Sequence, residues 1–111
     1  MHLTMARPLM LIAGLLLMAG PATADERAQA LARQNGCMSC HGMVHKQVGP
    51  GFAQIAARYR ADAAAPSRLA GRIRSGSVGN WGRVIMPRQP RVNEVDATLL
   101  AQWVLEQPSP P

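Results

Sequence analysis

"GCMSCHGM", residues 36–43, holds both cysteines of the chain, Cys37 and Cys40, and places His41 directly behind the second. Four chemistries use cysteines at this spacing. A disulfide between residues three apart closes a very short loop and removes little entropy from the unfolded chain. A structural zinc site needs four ligands. Outside the apolar leader at the N-terminus, Cys37, Cys40, His41 and His45 are all the cysteines and imidazoles present, and His41 follows Cys40 too closely for both to face one tetrahedral ion. A redox dithiol belongs in a βαβ setting, which this chain lacks. C-x-x-C-H as a site of covalent haem attachment asks for what is there: two thiols to add to the haem vinyl groups, and an adjacent imidazole to turn a nitrogen onto the iron.

Upstream, the chain begins like an exported protein. "MHLTMAR" carries one charge, Arg7; "PLMLIAGLLLMAG" runs apolar from Pro8 to Gly20; "PATA" ends in the small-x-small pattern Ala22-Thr23-Ala24. This layout predicts a secretory signal over residues 1–24, cleaved before Asp25. The competing reading, a retained membrane anchor, is short of the ~20 residues a spanning helix needs. Removing 24 of the 111 residues leaves an 87-residue domain, 25–111, with eleven basic against six acidic side chains. The arginines are scattered and lack the aromatic interleaving of a nucleic-acid platform, which argues against nucleic acid and for an acidic protein partner. The core is thin. Phe52, Tyr59, Trp81 and Trp103 are the only Phe, Tyr or Trp residues, and a domain of this size buries only about 60–65% of its chain surface. A bulky apolar cofactor would serve as its staple.

Downstream lies the candidate for the second face of the iron. Met38 sits inside the attachment loop and Met43 two residues past His41, so both are tied to the histidine side. Met86, in "VIMPRQP", is remote, and Pro87 and Pro90 restrict its loop, so its thioether can be presented at low entropic cost. His45 is tethered too closely to His41 to cross the ring. The competing assignment for Met86 is a core methionine, against which the neighbouring prolines argue. His41 and Met86 are therefore the expected axial ligands.

Between these points the pattern is helical. Asp25 is expected to cap a helix through about Gln34, with Ala28, Leu31 and Ala32 on one side and Asn35-Gly36 ending it. Residues 47–51, "QVGPG", read as a turn. Phe52, Ile55, Ala56 and Tyr59 recur at helical spacing. Pro66 and Ser67 open a third helix, with Leu69, Ala70 and Ile73 on one face and Gly76 after it. "GSVGNWGRVIMPRQP" reads as a long irregular loop. Asn93 caps a last helix, with Asp96 at the capping-box position and Val95, Leu99 and Trp103, with Leu100 or Val104, facing inward. Neither strands nor repeats are expected. The predicted class is all-α, four to five short helices around one flat cofactor.

The stretches "NGCMSCHG", "KQVGPGFAQIAARY", "LAGRIRSGSVGNWGRVIMP" and "LLAQWVLEQ" together resemble class I cytochrome c, in particular its short bacterial monohaem branch that includes periplasmic electron donors to nitrite reductase. They cover most of residues 31–107 in the family's order and spacing. The resemblance implies thioether bonds at Cys37 and Cys40 and axial bonds from His41 and Met86. It further implies that the Pro50 carbonyl accepts from the ligand histidine and that Arg72 and Trp81 bond the haem propionates. It departs from the family at Ala32, where relatives place an aromatic residue, which should leave the crossing with Trp103 underfilled. Gln89 replaces an asparagine that often bonds the methionine sulfur. Arg83 and Ile85 stand in place of prolines.

The function implied is a periplasmic one-electron shuttle, with one covalent haem c and no catalytic acid or base. The expected protein is a monomer with no stable membrane insertion. Its redox partners would dock on Val84, Ile85 and Met86, rimmed by Arg83, Arg88 and Arg91. The alternatives are a tightly held haem subunit of a periplasmic dehydrogenase or oxidase complex and, from another class, a haem sensor or peroxidase with Met86 off the iron.

Overall fold

A helix needs its first free N–H groups answered, and the computed structural model, which describes residues 8–111, shows how each helix start is met. Residues 1–7, including Arg7 of the expected signal, lie outside the described residues. Helix α1 is Ala24–Gln34, and its cap is Thr23, whose hydroxyl accepts from Glu26 N at 3.1 Å. Asp25, the expected cap, is instead inside the first turn, where its charge complements the helix dipole and its carboxylate takes Gln29 Nε2 at 2.8 Å. Helix α2, Phe52–Tyr59, has no capping hydroxyl. Its first N–H groups, on Phe52 and Ala53, donate to the carbonyls of Gly42 and Met43, both at 2.9 Å. The loop behind the cysteines is thereby fastened to α2. Helix α3, Ala65–Ser75, begins with Pro66 in its first turn. Just ahead of it the Asp62 carboxylate accepts from Ala64 N at 2.9 Å and Arg68 Nη1 at 2.6 Å. The backbone bond first and the guanidinium second hold the Asp62 carboxyl below its ordinary pKa. Asn93 caps α4, Glu94–Leu105, through Asp96 N at 2.8 Å, as its sequence position predicts.

Helix α4 is the hub: α1, α2 and α3 all pack on it. Its inward face is Ala97, Leu100, Ala101, Trp103 and Val104, with Leu99 partly buried beside them. Val95, expected inward, is 71% exposed. The helix is apolar on nearly every side, so its periodicity singles out no one face, and the small residues Ala97 and Ala101 take the close approach. Ala32 is buried against this core, and Phe52 meets Trp103 edge-on at 5.2 Å and 67°.

The glycine-rich segment after α3 is not wholly irregular. Strands β1, Ser77–Gly79, and β2, Gly82–Met86, pair antiparallel with Ser77 opposite Met86 and Val78 opposite Ile85. The fold is therefore mostly helical with one small ribbon. Strands this short, interrupted by Gly79 and Gly82 at φ 85° and 80°, leave no alternation long enough to read in sequence. Among the described residues, no helix is long and apolar enough to cross a membrane.

Two glycines give opposite expectations. A Cβ on Gly51 would stand 2.2 Å from Val44 O and 2.4 Å from Val44 C, all backbone. On Gly71, at an exposed position of α3, it would meet nothing within 4 Å. Gly51→Ala is expected to cost about 3 kcal/mol, and Gly71→Ala to stabilise by about 0.5–1 kcal/mol. Denaturant midpoints of the two variants moving the same way would contradict this.

Candidate functional site

The Cys37 and Cys40 thiols are brought together by a tight turn. Gly36 at φ 70° leads into a single 3-10 turn, Cys37–Ser39, and the N–H groups of Cys40 and His41 both donate to Cys37 O, at 3.2 and 3.0 Å. The cysteines are unbridged. Burial pushes the Cys37 thiol above its ordinary pKa, and nearby Cys40 adds to the rise. Among the described residues no three His, Cys, Asp or Glu side chains gather as a metal cluster.

His41 is held on three sides. Its Nδ1 lies 2.6 Å from Pro50 O, so Nδ1–H donates to the carbonyl and Nε2 is left with its lone pair free. Phe52 stacks on the ring at 5.1 Å and 19°. Gly49 closes against it so tightly that a Cβ there would lie 3.1 Å from Cε1. The turn that carries the ring is fixed by Val48 N and Gly49 N, which both donate to Cys40 O, at 3.1 and 2.8 Å.

Met86 arrives from the far part of the chain. It ends β2, and the left-handed Gly76, φ 80°, permits the crossing, since a Cβ there would meet Met86 O at 2.9 Å. Gln89 N donates to Ile73 O at 3.1 Å, tying the segment after Pro87 to α3. The Gln89 side-chain amide turns to Pro87 O at 3.3 Å.

All seven residues singled out in the sequence, Cys37, Cys40, His41, Pro50, Arg72, Trp81 and Met86, line one cleft. Its empty space, counted out to the mouth and including open solvent, is about 1050 Å³. Most of its remaining wall is apolar: Phe52, Ile55, Leu69, Ile73, Leu100, Trp103 and Val104 among others. Ala32 lines it together with Trp103. A wide apolar slot with two free thiols, one imidazole nitrogen, one thioether and a guanidinium fits a large flat macrocycle bearing acidic groups, such as haem.

Sequence reading missed part of what holds this wall in place. Tyr59 was expected only as a core residue. Its hydroxyl accepts from Arg72 Nη1 at 3.3 Å, and its ring meets Trp81 edge-on at 6.3 Å and 76°. The close packing of Gly49 and Phe52 on His41 was also unforeseen; a ring stacked eleven positions away leaves no local pattern.

The family model described as cytochrome c matches residues 26–108. A cytochrome c-552 of Nitrosomonas europaea is 44% identical over 93 residues, 84% of this chain and 87% of that protein. A cytochrome c-551 of Pseudomonas aeruginosa is 39% identical over 98 residues, 88% of this chain and 91% of that protein. The crystal structure of wild-type Nitrosomonas europaea cytochrome c552 superposes with a TM-score of 0.69 at 42% identity, over 71% of this chain and 98% of that one.

Proposed function

The chain belongs to the cytochrome c family, among its small class I monohaem members with one covalently bound haem c, and from that premise we propose that it is a periplasmic one-electron carrier with His41 and Met86 as the iron's axial ligands. The observation that carries this reading is the meeting of both residues with Cys37 and Cys40 in one apolar cleft. When bound, the haem iron supplies a single-electron couple between its ferric and ferrous states.

The chain's own residues set how that couple behaves. Cys37 and Cys40 anchor the ring by thioethers. Pro50 O, accepting from His41 Nδ1–H, makes the imidazole more basic and fixes its plane. The Met86 sulfur, a soft ligand, favours the ferrous state and raises the potential. The apolar wall excludes water, which disfavours the extra positive charge of the ferric state. Arg72 and Trp81, which line the cleft, would hold the propionates. With His41 and Met86 both holding the iron, the site would carry electrons and leave no open place for a substrate.

Residues 1–24 act in this reading as a cleaved export signal, and 25–111 as the mature domain. Two features support that division. Residues 8–23 contain no helix or strand, and the large side chains from Leu9 to Met18 are exposed and pack on nothing.

The carrier meets its partners at the cleft mouth. Val78 and Ile85, paired across the ribbon, are 64% and 69% exposed, and the neighbouring Arg83, Arg88 and Arg91 are exposed too. An apolar contact ringed by cations suits loose, salt-sensitive docking on an acidic protein. Arg83→Glu with Arg88→Glu is expected to slow electron exchange with the native partner about tenfold at low ionic strength, the difference shrinking as salt is added. Stopped-flow rates equal to wild type at low salt would remove this face from the account.

A further inference from the structure

Arg58 does not line the cleft and has no part in the ligand set. It is exposed, and among the described residues it forms no ion pair. Its contacts nonetheless converge on one place, the tip of the β1–β2 ribbon. Nη1 donates to Asn80 O at 2.6 Å. The guanidinium carbon lies 4.6 Å from the centre of the Trp81 ring and 5.1 Å from that of Tyr59. A single side chain thus grips the backbone of one tip residue and the ring of the next.

The ribbon needs such a hold. A lone two-stranded hairpin is marginal in water, and this one has strands of three and five residues. Its register is irregular between Val78 and Gly79, and the exposed Val78 and Ile85 contribute little burial. Asn80 Nδ2 bonds Ser77 Oγ at 2.7 Å, but that bond stays within the ribbon. Among the described residues, the one hydrogen bond joining the ribbon to a helix is the one from Arg58. Trp81, at the tip, and Met86, at the other end of β2, both line the cleft.

We infer that Arg58 is a positioning residue: stacked on Trp81 and bonded to Asn80 O, its guanidinium clamps the ribbon tip to α2 and keeps the Trp81 ring in the cleft wall. This rests on the reading that the cleft holds haem with Trp81 beside its propionates. The flat face and the directed N–H donors are both used, so lysine, with its point charge on a flexible stem, does not replace it.

The test uses the haem-loaded protein and the variants Arg58→Ala, Arg58→Lys and Trp81→Phe. Because Arg58 is exposed, its variants fold. Native-state hydrogen exchange of the Gly82 amide, paired across the ribbon with Gly79, and of the Trp81 indole N–H is expected to quicken about tenfold in both Arg58 variants. The Trp103 indole N–H, in the core, keeps its wild-type rate. The reduction potential falls in both as water reaches the cleft edge. Unchanged exchange at the tip in Arg58→Ala, or wild-type behaviour of Arg58→Lys in exchange and potential, would overturn the clamp. If Trp81→Phe leaves the potential at its wild-type value while Arg58→Ala still loosens the tip, the clamp stands and it is the propionate role of Trp81 that fails.

Discussion

Replacing both Cys37 and Cys40 by alanine is expected to leave a chain that does not hold its fold. The reason lies in the core. Among the described residues, eight of the fourteen buried apolar residues are alanines, and no large side chain is wholly buried. An alanine core removes little apolar surface from water, since each buried CH₂ contributes only about 0.8 kcal/mol. The larger apolar residues, Phe52, Ile55, Leu100 and Trp103, all line the cleft, so a flat apolar cofactor seated there would pack against the bulkiest side chains of the core. Haem would add the bulk that an alanine-rich core lacks, and the thioethers would keep it from leaving. The double variant should therefore lose most of its far-ultraviolet helical signal and show no cooperative thermal transition. Cys37→Ala alone, with one thioether left, should keep both its colour and a transition at lower temperature. A double variant that melts cooperatively with native helix content would mean that the helices sustain themselves.

Met86→Ala should change the electron carrier into a haem protein with one open iron position. The potential is expected to fall by on the order of 0.2 V, within the span of about 0.8 V that axial ligands control. The ferrous form should bind carbon monoxide rapidly, where the wild type binds it slowly or not at all. The fold should survive, because Met86 stands at the end of a short ribbon and contributes nothing to the buried core. Met86→His should refill the position, suppress carbon monoxide binding and still lower the potential, since nitrogen favours the ferric state more than thioether sulfur does. Together the two variants separate occupancy of the site from the identity of its ligand. If Met86→Ala kept the wild-type potential and stayed closed to carbon monoxide, Met86 would not be on the iron.

What could be read in the sequence was what is written locally. Cys37, Cys40 and His41 sit within five residues, and Pro87 marks the Met86 segment. The Asn93 cap and the breaks at Gly36 and Gly76 are single-residue signals with a conformational cause. Other features depended on partners far along the chain. Arg58 reaches Asn80 and Tyr59 reaches Trp81, and neither spacing shows in a periodic pattern. Helix α1 shows a subtler failure. Thr23 and Asp25 both make acceptable caps, and Asp25 was favoured because it lies beyond the expected cleavage point, whereas Thr23 caps the helix two residues earlier, so that it begins at Ala24. On α4, a helix apolar nearly all round, the buried face was set by where α1, α2 and α3 pack. Val95 therefore ended outside while Ala97 and Ala101 ended inside.

The most direct measurement of the central claim is the visible absorption spectrum of the purified ferric protein at neutral pH. An iron held between the His41 nitrogen and the Met86 sulfur predicts a low-spin spectrum with the weak far-red band of a thioether–ferric iron bond. A high-spin spectrum, or a low-spin one without that band, would contradict it.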